Sequence, residues 1–131
     1  MSISAADDRM LDTSVLVDVI RGEPATMAYV EARITAGDRL SVSAITVGEI
    51  YAGMRSGEEQ RTDALFVSLT VVSIDATMAQ KAGEYVRRYR HQGVRLLDAL
   101  IAASAWAAGA RLVTHNVRHF PMTDVAIEAP F

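Results

Sequence analysis

An α/β fold built on a parallel sheet is what this sequence predicts, and three observations lead to that prediction. Short aliphatic and β-branched runs alternate with longer helical segments along the chain. Half of the 131 residues are hydrophobic and 22% are charged, which is typical of a globular domain. No repeat or low-complexity tract interrupts the alternation. The pattern therefore favours a parallel sheet of four to five strands with helices on both faces.

The elements of the first half are bounded by residues that start or stop helices. A short apolar strand ends at Asp12, and the helix after it stops at residues 21–24, Arg-Gly-Glu-Pro. The next helix has apolar residues at helical spacing until Gly37. Ser43 is a suitable N-cap for the helix that follows the second strand. The predicted elements are a strand at 9–12, helices at 14–20 and 25–36, a strand at 39–42 and a helix from 43 to about 54.

The second half continues the alternation. β-branched residues mark a strand just before Asp75, and Asp75 can cap a long helix. Gly93 separates this helix from the next, which Gly109 ends, because glycine readily adopts the left-handed conformation after a helix. The predicted elements are a helix at 58–69, a strand at 71–74, helices at 75–90 and 96–108, a strand at 111–114 and a short fifth strand at 125–127.

Composition limits the domain organisation and the class of protein. A chain of this length is one domain, and the polar, aperiodic residues 1–9 predict a disordered extension before a folded domain at 10–131. The absence of cysteine excludes disulfides and thiolate metal sites. No apolar run approaches the roughly 20 residues that cross a bilayer, and the acidic start is unlike a secretory signal. We therefore expect a cytoplasmic protein.

Four polar residues stand where a predicted strand gives way to a helix, or inside the helix that follows: Asp12, Glu49, Asp98 and Asn116. In open parallel sheets, sites form at the carboxyl ends of strands where the strand order reverses. Asp12 and Asn116 should meet there if the first and fourth strands are neighbours. Gly48 and the small residues that flank Glu49 and Asp98 would let the two helices approach this edge closely.

Each of these residues also has a structural explanation when taken alone. Asp12 could be a helix N-cap, and Asp98 could interact with the positive end of its helix dipole. Glu49 could be a surface residue, and Asn116 could be a turn former. Their combination points instead to a metal site, because oxygen ligands suit Mg²⁺ or Mn²⁺ better than zinc. A cation held by Asp12 and Asp98 could activate water and neutralise a phosphodiester, while Glu49 could bind metal or orient that water.

Four sequence blocks carry a resemblance to a known family. They are Met-Leu-Asp12-Thr-Ser-Val-Leu-Val-Asp18, Ser-Ala-Ile-Thr-Val-Gly-Glu49-Ile-Tyr-Ala-Gly, Leu-Leu-Asp98-Ala-Leu-Ile-Ala-Ala and Leu-Val-Thr114-His-Asn116-Val-Arg-His-Phe120. In this order, from residue 10 to residue 120, they resemble a PIN domain, and more narrowly the VapC-type ribonuclease toxins of VapBC toxin–antitoxin pairs.

The resemblance implies a metal-dependent endoribonuclease. Its acidic quartet would correspond to Asp12, Glu49, Asp98 and Asn116, and its supporting polar groups to Thr13, Ser14 and Thr114. Many relatives have aspartate at the position of Asn116 and others also have asparagine, so this departure is mild. Some relatives have a further acid at the position of His119, where this chain has none. A second, fully acidic metal site is therefore less strongly implied here, and His119 has the simpler interpretation of a surface or supporting histidine.

Partners and substrate follow from the same resemblance. It implies a toxin that cleaves structured RNA of the tRNA or rRNA class and inhibits translation. A VapB-type antitoxin would bind an apolar groove lined by the helices at 25–36 and 58–69, within a homodimer and a higher toxin–antitoxin assembly. With a net charge of −3 and one lysine, general affinity for RNA should be low. The arginines expected to hold RNA phosphates are Arg87, Arg88, Arg90, Arg95 and Arg118.

Three other classes fit the sequence less well. A haloacid-dehalogenase-type phosphatase needs a second aspartate two residues after the first, where this chain has Ser14. A receiver domain needs a lysine after a late strand, but Lys81 lies within a predicted helix. A catalytically weak PIN domain that serves as a protein or RNA binding module is the alternative that stays open, and the intact Asp12, Glu49 and Asp98 argue against it.

Overall fold

A computed structural model describes residues 7–131 of the chain. In this range, five strands form one sheet and six α-helices cover it. The strands are β1 (Asp8–Leu11), β2 (Arg39–Ser43), β3 (Thr70–Val72), β4 (Arg111–Val113) and β5 (Ile127–Glu128). The helices are α1 (Thr13–Ile20), α2 (Pro24–Thr35), α3 (Ala44–Ala52), α4 (Glu59–Val67), α5 (Ala76–Arg88) and α6 (Leu96–Ala108), with short 3-10 turns at Arg90–Gln92 and Val117–His119.

All strand pairs are parallel, and the spatial order is β3-β2-β1-β4-β5. The chain runs outward from β1 to β3 and then returns to add β4 and β5 on the other side. The order therefore reverses between β1 and β4, which are hydrogen-bonded neighbours. The backbone N–H of Asp12 donates to the carbonyl of Val113 at 2.9 Å, so the carboxyl ends of these two strands lie side by side.

The sheet separates two apolar clusters, because successive strand residues point to opposite faces. Met10 and Leu112 pack on one face with residues of α5 and α6. Leu11 and Val113 pack on the other face with α1. The core strand residues are almost completely buried, as expected for a parallel sheet covered on both sides.

Most predicted elements are present, with ends that differ by a few residues. Ser43 accepts a hydrogen bond from the Ile45 backbone N–H, and Asp75 accepts one from that of Met78, which confirms both predicted N-caps. The helix predicted to reach residue 90 ends at Arg88 and gives way to a 3-10 turn. The last strand lies at Ile127–Glu128 and not at 125–127.

The start of the sheet differs from the prediction. β1 begins at Asp8, so Asp8 and Arg9 belong to the sheet and not to a disordered extension. Arg9 is buried, and its guanidinium pairs with Asp38 and, at 2.8 Å, with Glu128. Local composition does not predict the burial of Arg9, because both of its partners are distant in sequence. The rest of the predicted extension, residues 1–6, lies outside the described residues. Within residues 7–131, no helix is both long and apolar enough to cross a membrane.

Candidate active site

A cavity of about 290 Å³ opens where β1 and β4 end. Its lining residues come from four separate parts of the chain, as the topology of the sheet requires. They are Asp12, Thr13, Ser14, Glu49, Arg95, Leu97, Asp98, Asn116 and His119. The four residues predicted from the sequence as a catalytic quartet therefore line one cavity, at the point where the strand order reverses.

Asp12 is held by hydroxyl groups. Its side chain is buried and accepts hydrogen bonds from Thr114 Oγ1 at 2.7 Å and from Ser14 Oγ at 3.1 Å. Although Asp12 occupies the N-cap position of α1, its side chain makes no capping hydrogen bond. The simple capping explanation is therefore wrong. Two supporting residues, Ser14 and Thr114, orient the carboxylate within the cavity.

Glu49 is held in a similar way. Thr13 Oγ1 donates to Glu49 Oε1 at 2.6 Å, and the hydroxyls of Thr13 and Thr46 are 3.0 Å apart. Because a hydroxyl has one proton, the shorter contact, to the Glu49 carboxylate, is the hydrogen bond that the Thr13 hydroxyl donates. The hydrogen bond between Thr13 and Glu49 connects α3 to the start of α1. The Glu49 side chain is therefore held in position and is not a free surface residue.

The contact between α3 and α6 has a polar anchor. Ser43 Oγ and Ser104 Oγ are 2.9 Å apart in the buried interior, and Ala99 and Ala102 of α6 are fully buried. Gly48, by contrast, is not needed for close approach, because a Cβ there would meet nothing within 4 Å. The expectation about small residues is thus met by the alanines of α6 and not by Gly48.

Asp98 lies in the first turn of α6 and is partly buried. Burial raises the pKa of the Asp98 carboxyl, and the negative charges of Asp12 and Glu49 act in the same direction. His119 and Arg95 oppose the rise, with His119 the stronger of the two, but the net pKa shift is upward. His119 Nδ1 stands 3.7 Å from Asp98 Oδ2. The cavity therefore concentrates negative charge, as the sequence predicted.

Asn116 completes the lining from the loop after β4. Its backbone N–H donates to Thr114 Oγ1 at 2.9 Å, the same hydroxyl that donates to Asp12. The residue is exposed and contributes a neutral amide to a cavity that already holds three carboxylates. It could therefore ligate or orient a bound group without adding charge repulsion.

The donor set fits a hard divalent cation. Oxygen donors from Asp12, Glu49, Asp98 and Asn116 share the cavity, and Mg²⁺ commonly uses only one or two carboxylates while keeping several of its waters. Among residues 7–131, no three His, Cys, Asp or Glu side chains already form a ready-made cage. The arrangement is thus an open carboxylate site, which is compatible with a cation that also binds water and substrate.

The predicted RNA-binding arginines do not form one group. Arg95, at the N-cap position of α6, lines the carboxylate cavity. Arg87 and Arg88 line a separate cavity with Lys81 and Tyr85. The others, Arg90 and Arg118, are exposed residues of the two 3-10 turns. Only Arg95 is therefore placed at the cavity itself.

An apolar groove of about 500 Å³ lies between α2 and α4 and is called the α2–α4 groove below. Its apolar lining includes Leu16, Val19, Val30, Ile34, Leu65 and Leu69, and Asp38 and Arg39 add charge. These two helices correspond to the predicted helices at 25–36 and 58–69, which the resemblance implied would line an antitoxin groove. Phe66 of α4 stacks on Tyr51, with ring centroids 5.6 Å apart, and is not part of the groove lining.

Sequence reasoning missed one polar contact beside the cavity. His115 Nε2 lies 2.8 Å from Asp18 Oδ2, and the Thr26 hydroxyl donates to the same oxygen at 2.8 Å. The partners are 97 residues apart, so no local pattern could pair them.

Comparison with known proteins agrees with the fold. A family model described as "PIN domain" matches residues 9–125. Ribonuclease VapC19 of Mycobacterium tuberculosis is 37% identical over 116 residues, which cover 87% of this chain and 93% of that protein. The tRNA(fMet)-specific endonuclease VapC of Shigella flexneri is 32% identical over 118 residues, which cover 85% and 88%. The DNA-bound VapBC of Salmonella typhimurium has a TM-score of 0.76 at 27% identity and covers 95% and 99%.

The match to the family model, over residues 9–125, includes all four cavity-forming segments. The chain therefore belongs to the PIN-domain family. Within that family its similarity is to the VapC-type ribonucleases, as the four sequence blocks had indicated.

Proposed function

We propose that the chain is a Mg²⁺- or Mn²⁺-dependent endoribonuclease that acts as the toxin of a toxin–antitoxin pair. The observation that carries this proposal is the meeting of Asp12, Glu49, Asp98 and Asn116 in one cavity at the switch point of the sheet. Relatives named as ribonucleases, at up to 37% identity, support the reaction class.

The chain's own groups divide the work of the site. Asp12 and Asp98 would hold the cation, and Glu49 would hold metal or orient the attacking water. A bound divalent cation would supply Lewis acidity and neutralise charge on the phosphodiester. Thr13, Ser14 and Thr114 fix the directions of the carboxylates through the hydrogen bonds described above. Arg95 at the cavity wall would hold a flanking phosphate.

The site is tested by Asp12→Asn, Glu49→Gln and Asp98→Asn, each of which removes one charge at nearly constant volume. Each variant should lose at least about 100-fold in cleavage of RNA in Mg²⁺, since each removes a group that holds the cation or the water. Glu84→Gln is the matched control, because Glu84 is an exposed acid of α5 outside the cavity. Near wild-type cleavage by a folded Asp98→Asn protein would contradict the proposal, as would cleavage that persists in chelator.

The proposed substrate is structured RNA of the tRNA or rRNA class, whose cleavage would inhibit translation. One relative, the Shigella flexneri protein, is named as specific for tRNA(fMet). The open cavity would admit an exposed loop or single strand more readily than a duplex, because single-stranded loops present bases and backbone that can be splayed into a site.

A VapB-type antitoxin is the proposed protein partner, and the α2–α4 groove is its proposed binding site. The groove is apolar, and an amphipathic segment binds such a groove with its apolar face. The Salmonella relative was solved as a VapBC assembly. We further propose that the toxin forms a homodimer within a larger complex, which the mass of the co-expressed pair in light scattering would test.

Ile34→Asp tests the groove. Ile34 is 60% exposed and lines the groove, so a charge there should weaken antitoxin binding at least about tenfold while RNA cleavage by the free toxin is retained. Val67→Asp is the matched control, since Val67 is 88% exposed on α4 and does not line the groove. Equal antitoxin affinity of the Ile34→Asp, Val67→Asp and wild-type proteins would place the binding site elsewhere.

A further inference from the structure

The loop after β4 carries Asn116 to the cavity, and His115 anchors this loop to α1 in two places. The His115 backbone N–H donates to Ser14 Oγ at 3.1 Å. The His115 side chain reaches Asp18 Oδ2 with its Nε2 atom at 2.8 Å. Ser14 and Asp18 are four residues apart and therefore share one face of α1. His115 thus lies along a full turn of this helix.

The side-chain anchor is itself fixed. Asp18 Oδ2 also accepts a hydrogen bond from the hydroxyl of Thr26, which is buried in the first turns of α2. An ionised carboxylate only accepts hydrogen bonds, so His115 donates from Nε2. The Asp18 side chain consequently joins α1, α2 and the loop after β4.

The segment that follows is held again at its far end, where Phe120 is buried in the core and His119 Nδ1 lies 3.7 Å from Asp98 Oδ2. Residues 115–119 are all exposed. Asn116 has one backbone contact to Thr114 Oγ1, and the turn after it is closed by the His119 N–H donating to the Asn116 carbonyl at 2.9 Å. The position of the Asn116 side chain in the cavity therefore depends on how firmly its two neighbours, Thr114 and His115, are held.

We propose that His115 is a positioning residue for the cleavage reaction: its hydrogen bond to Asp18 holds the loop so that Asn116 faces the cavity. This inference rests on the proposed ribonuclease function and adds to it a residue pair outside the carboxylate quartet. The His115 ring also contacts Phe131, with centroids 5.6 Å apart in an edge-to-face arrangement. The test must therefore separate the hydrogen bond from the packing of the ring.

Two substitutions make that separation. His115→Phe keeps an aromatic ring beside Phe131 but removes the donor to Asp18. His115→Gln removes the ring but offers an amide N–H at a similar reach. Since small misplacements of a reactive group are costly, kcat of His115→Phe should fall about 10- to 100-fold with little change in KM, and kcat of His115→Gln should stay within about threefold of wild type. Tyr51→Phe, which removes a hydrogen bond from a side chain to a carboxylate, that of Asp63, outside the cavity, is the control and should leave kcat within about threefold of wild type.

A double-mutant comparison tests whether the effect passes through Asn116. Adding His115→Phe to Asn116→Ala should cost no further activity beyond about twofold, because a loop without the amide has nothing left to position. The same loss in both backgrounds would overturn the proposed role, as would wild-type kcat in His115→Phe. A loss in His115→Gln equal to that in His115→Phe would also overturn it, because the ring would then be the decisive part.

Hydrogen exchange measures how the hydrogen bond between His115 and Asp18 restrains the loop, independently of RNA cleavage. Amides of residues 115–119 should exchange faster in His115→Phe than in wild type and His115→Gln, while those of the distant helix α5 stay unchanged. Unaltered exchange in His115→Phe would overturn the anchoring. Failure of the ribonuclease proposal is recognised separately, because it would appear as undiminished cleavage in the Asp12→Asn and Asp98→Asn proteins.

Discussion

The three carboxylates of the cavity differ in the hydrogen bonds that they accept from hydroxyl groups. Asp12 accepts hydrogen bonds from Ser14 and Thr114, and Glu49 accepts one from Thr13. Asp98 has no comparable hydroxyl among the described residues, and it is the carboxyl whose pKa burial and its neighbours raise. The negative charge of Asp98 therefore destabilises the metal-free protein, and a bound cation would relieve this cost.

The first prediction follows from the raised pKa of Asp98. A folded-state pKa above the ordinary value of 3.8 means that protonation stabilises the fold, and this stability is lost as the pH rises through the folded pKa. Asp98→Asn should therefore raise the melting temperature of chelated protein at pH 7, by an amount that shrinks as the pH falls through the raised pKa of Asp98. A gain that is independent of pH would show that the charge is not its cause.

Asp124 provides a control of opposite sign. Burial alone would raise the pKa of Asp124, but hydrogen bonds from Lys81, at 2.7 Å, and Tyr85 outweigh it, and the net pKa shift is downward. The stability that this ionised carboxylate contributes is present above its unfolded pKa and lost as the pH falls through its folded pKa. Asp124→Asn should thus lower the melting temperature at pH 7, where Asp98→Asn raises it.

At the scale of elements, the central strand β1 is held at both ends by contacts with other segments of the chain. Its carboxyl end leads into Asp12, whose backbone N–H bonds to β4. Near its start, Arg9 pairs with Asp38, which follows α2, and with Glu128 of β5. The strand that leads into Asp12 is therefore held by contacts with segments that are distant in sequence.

Arg9→Met tests this second prediction, because it keeps much of the aliphatic volume and removes the charge. We expect a loss of about 3 kcal/mol in the free energy of unfolding, since Asp38 would keep a buried charge with a weaker partner. Urea denaturation provides the measurement. Arg39→Met is the matched control: Arg39 pairs with Asp8 at the surface, so its loss should cost less than about 1 kcal/mol. Equal losses in the two variants would contradict the structural role of Arg9.

The charge of the whole molecule limits how it can select RNA. The net charge is −3, yet residues 87–95 contain four arginines and a histidine with no acid among them. This segment ends at Arg95 in the wall of the cavity. The negative net charge would give little affinity for nucleic acid in general, and of these arginines Arg95 is the one placed to contact RNA at the cavity.

The third prediction concerns the cleavage pattern that results. Induced expression should produce new RNA 5′ ends at single-stranded positions in a small set of structured RNAs, because weak general affinity leaves selection to the cavity. Sequencing of 5′ ends in wild type and Asp12→Asn cells provides the measurement. Duplex DNA should remain intact, and chelator should abolish cleavage in vitro. Uniform degradation of all transcripts would be incompatible with this expectation.

The sequence by itself determined the α/β class, the main helices, two N-caps and the four cavity residues. These follow from local information, since apolar periodicity, capping residues and charges in apolar segments are visible in short windows. The family resemblance added the order of the blocks, and the matches to relatives confirmed the family.

Only the tertiary structure decided how the polar groups are paired. The strand order placed β1 beside β4, and this pairing brought Thr114 onto Asp12 across 102 residues and His115 onto Asp18 across 97. The tertiary structure also places Arg9, which the sequence assigned to a disordered extension, in a buried ion pair. It places Arg87 and Arg88 outside the carboxylate cavity. A local pattern cannot predict such pairs, because each partner satisfies its hydrogen bonds or charge only after distant segments have been packed together.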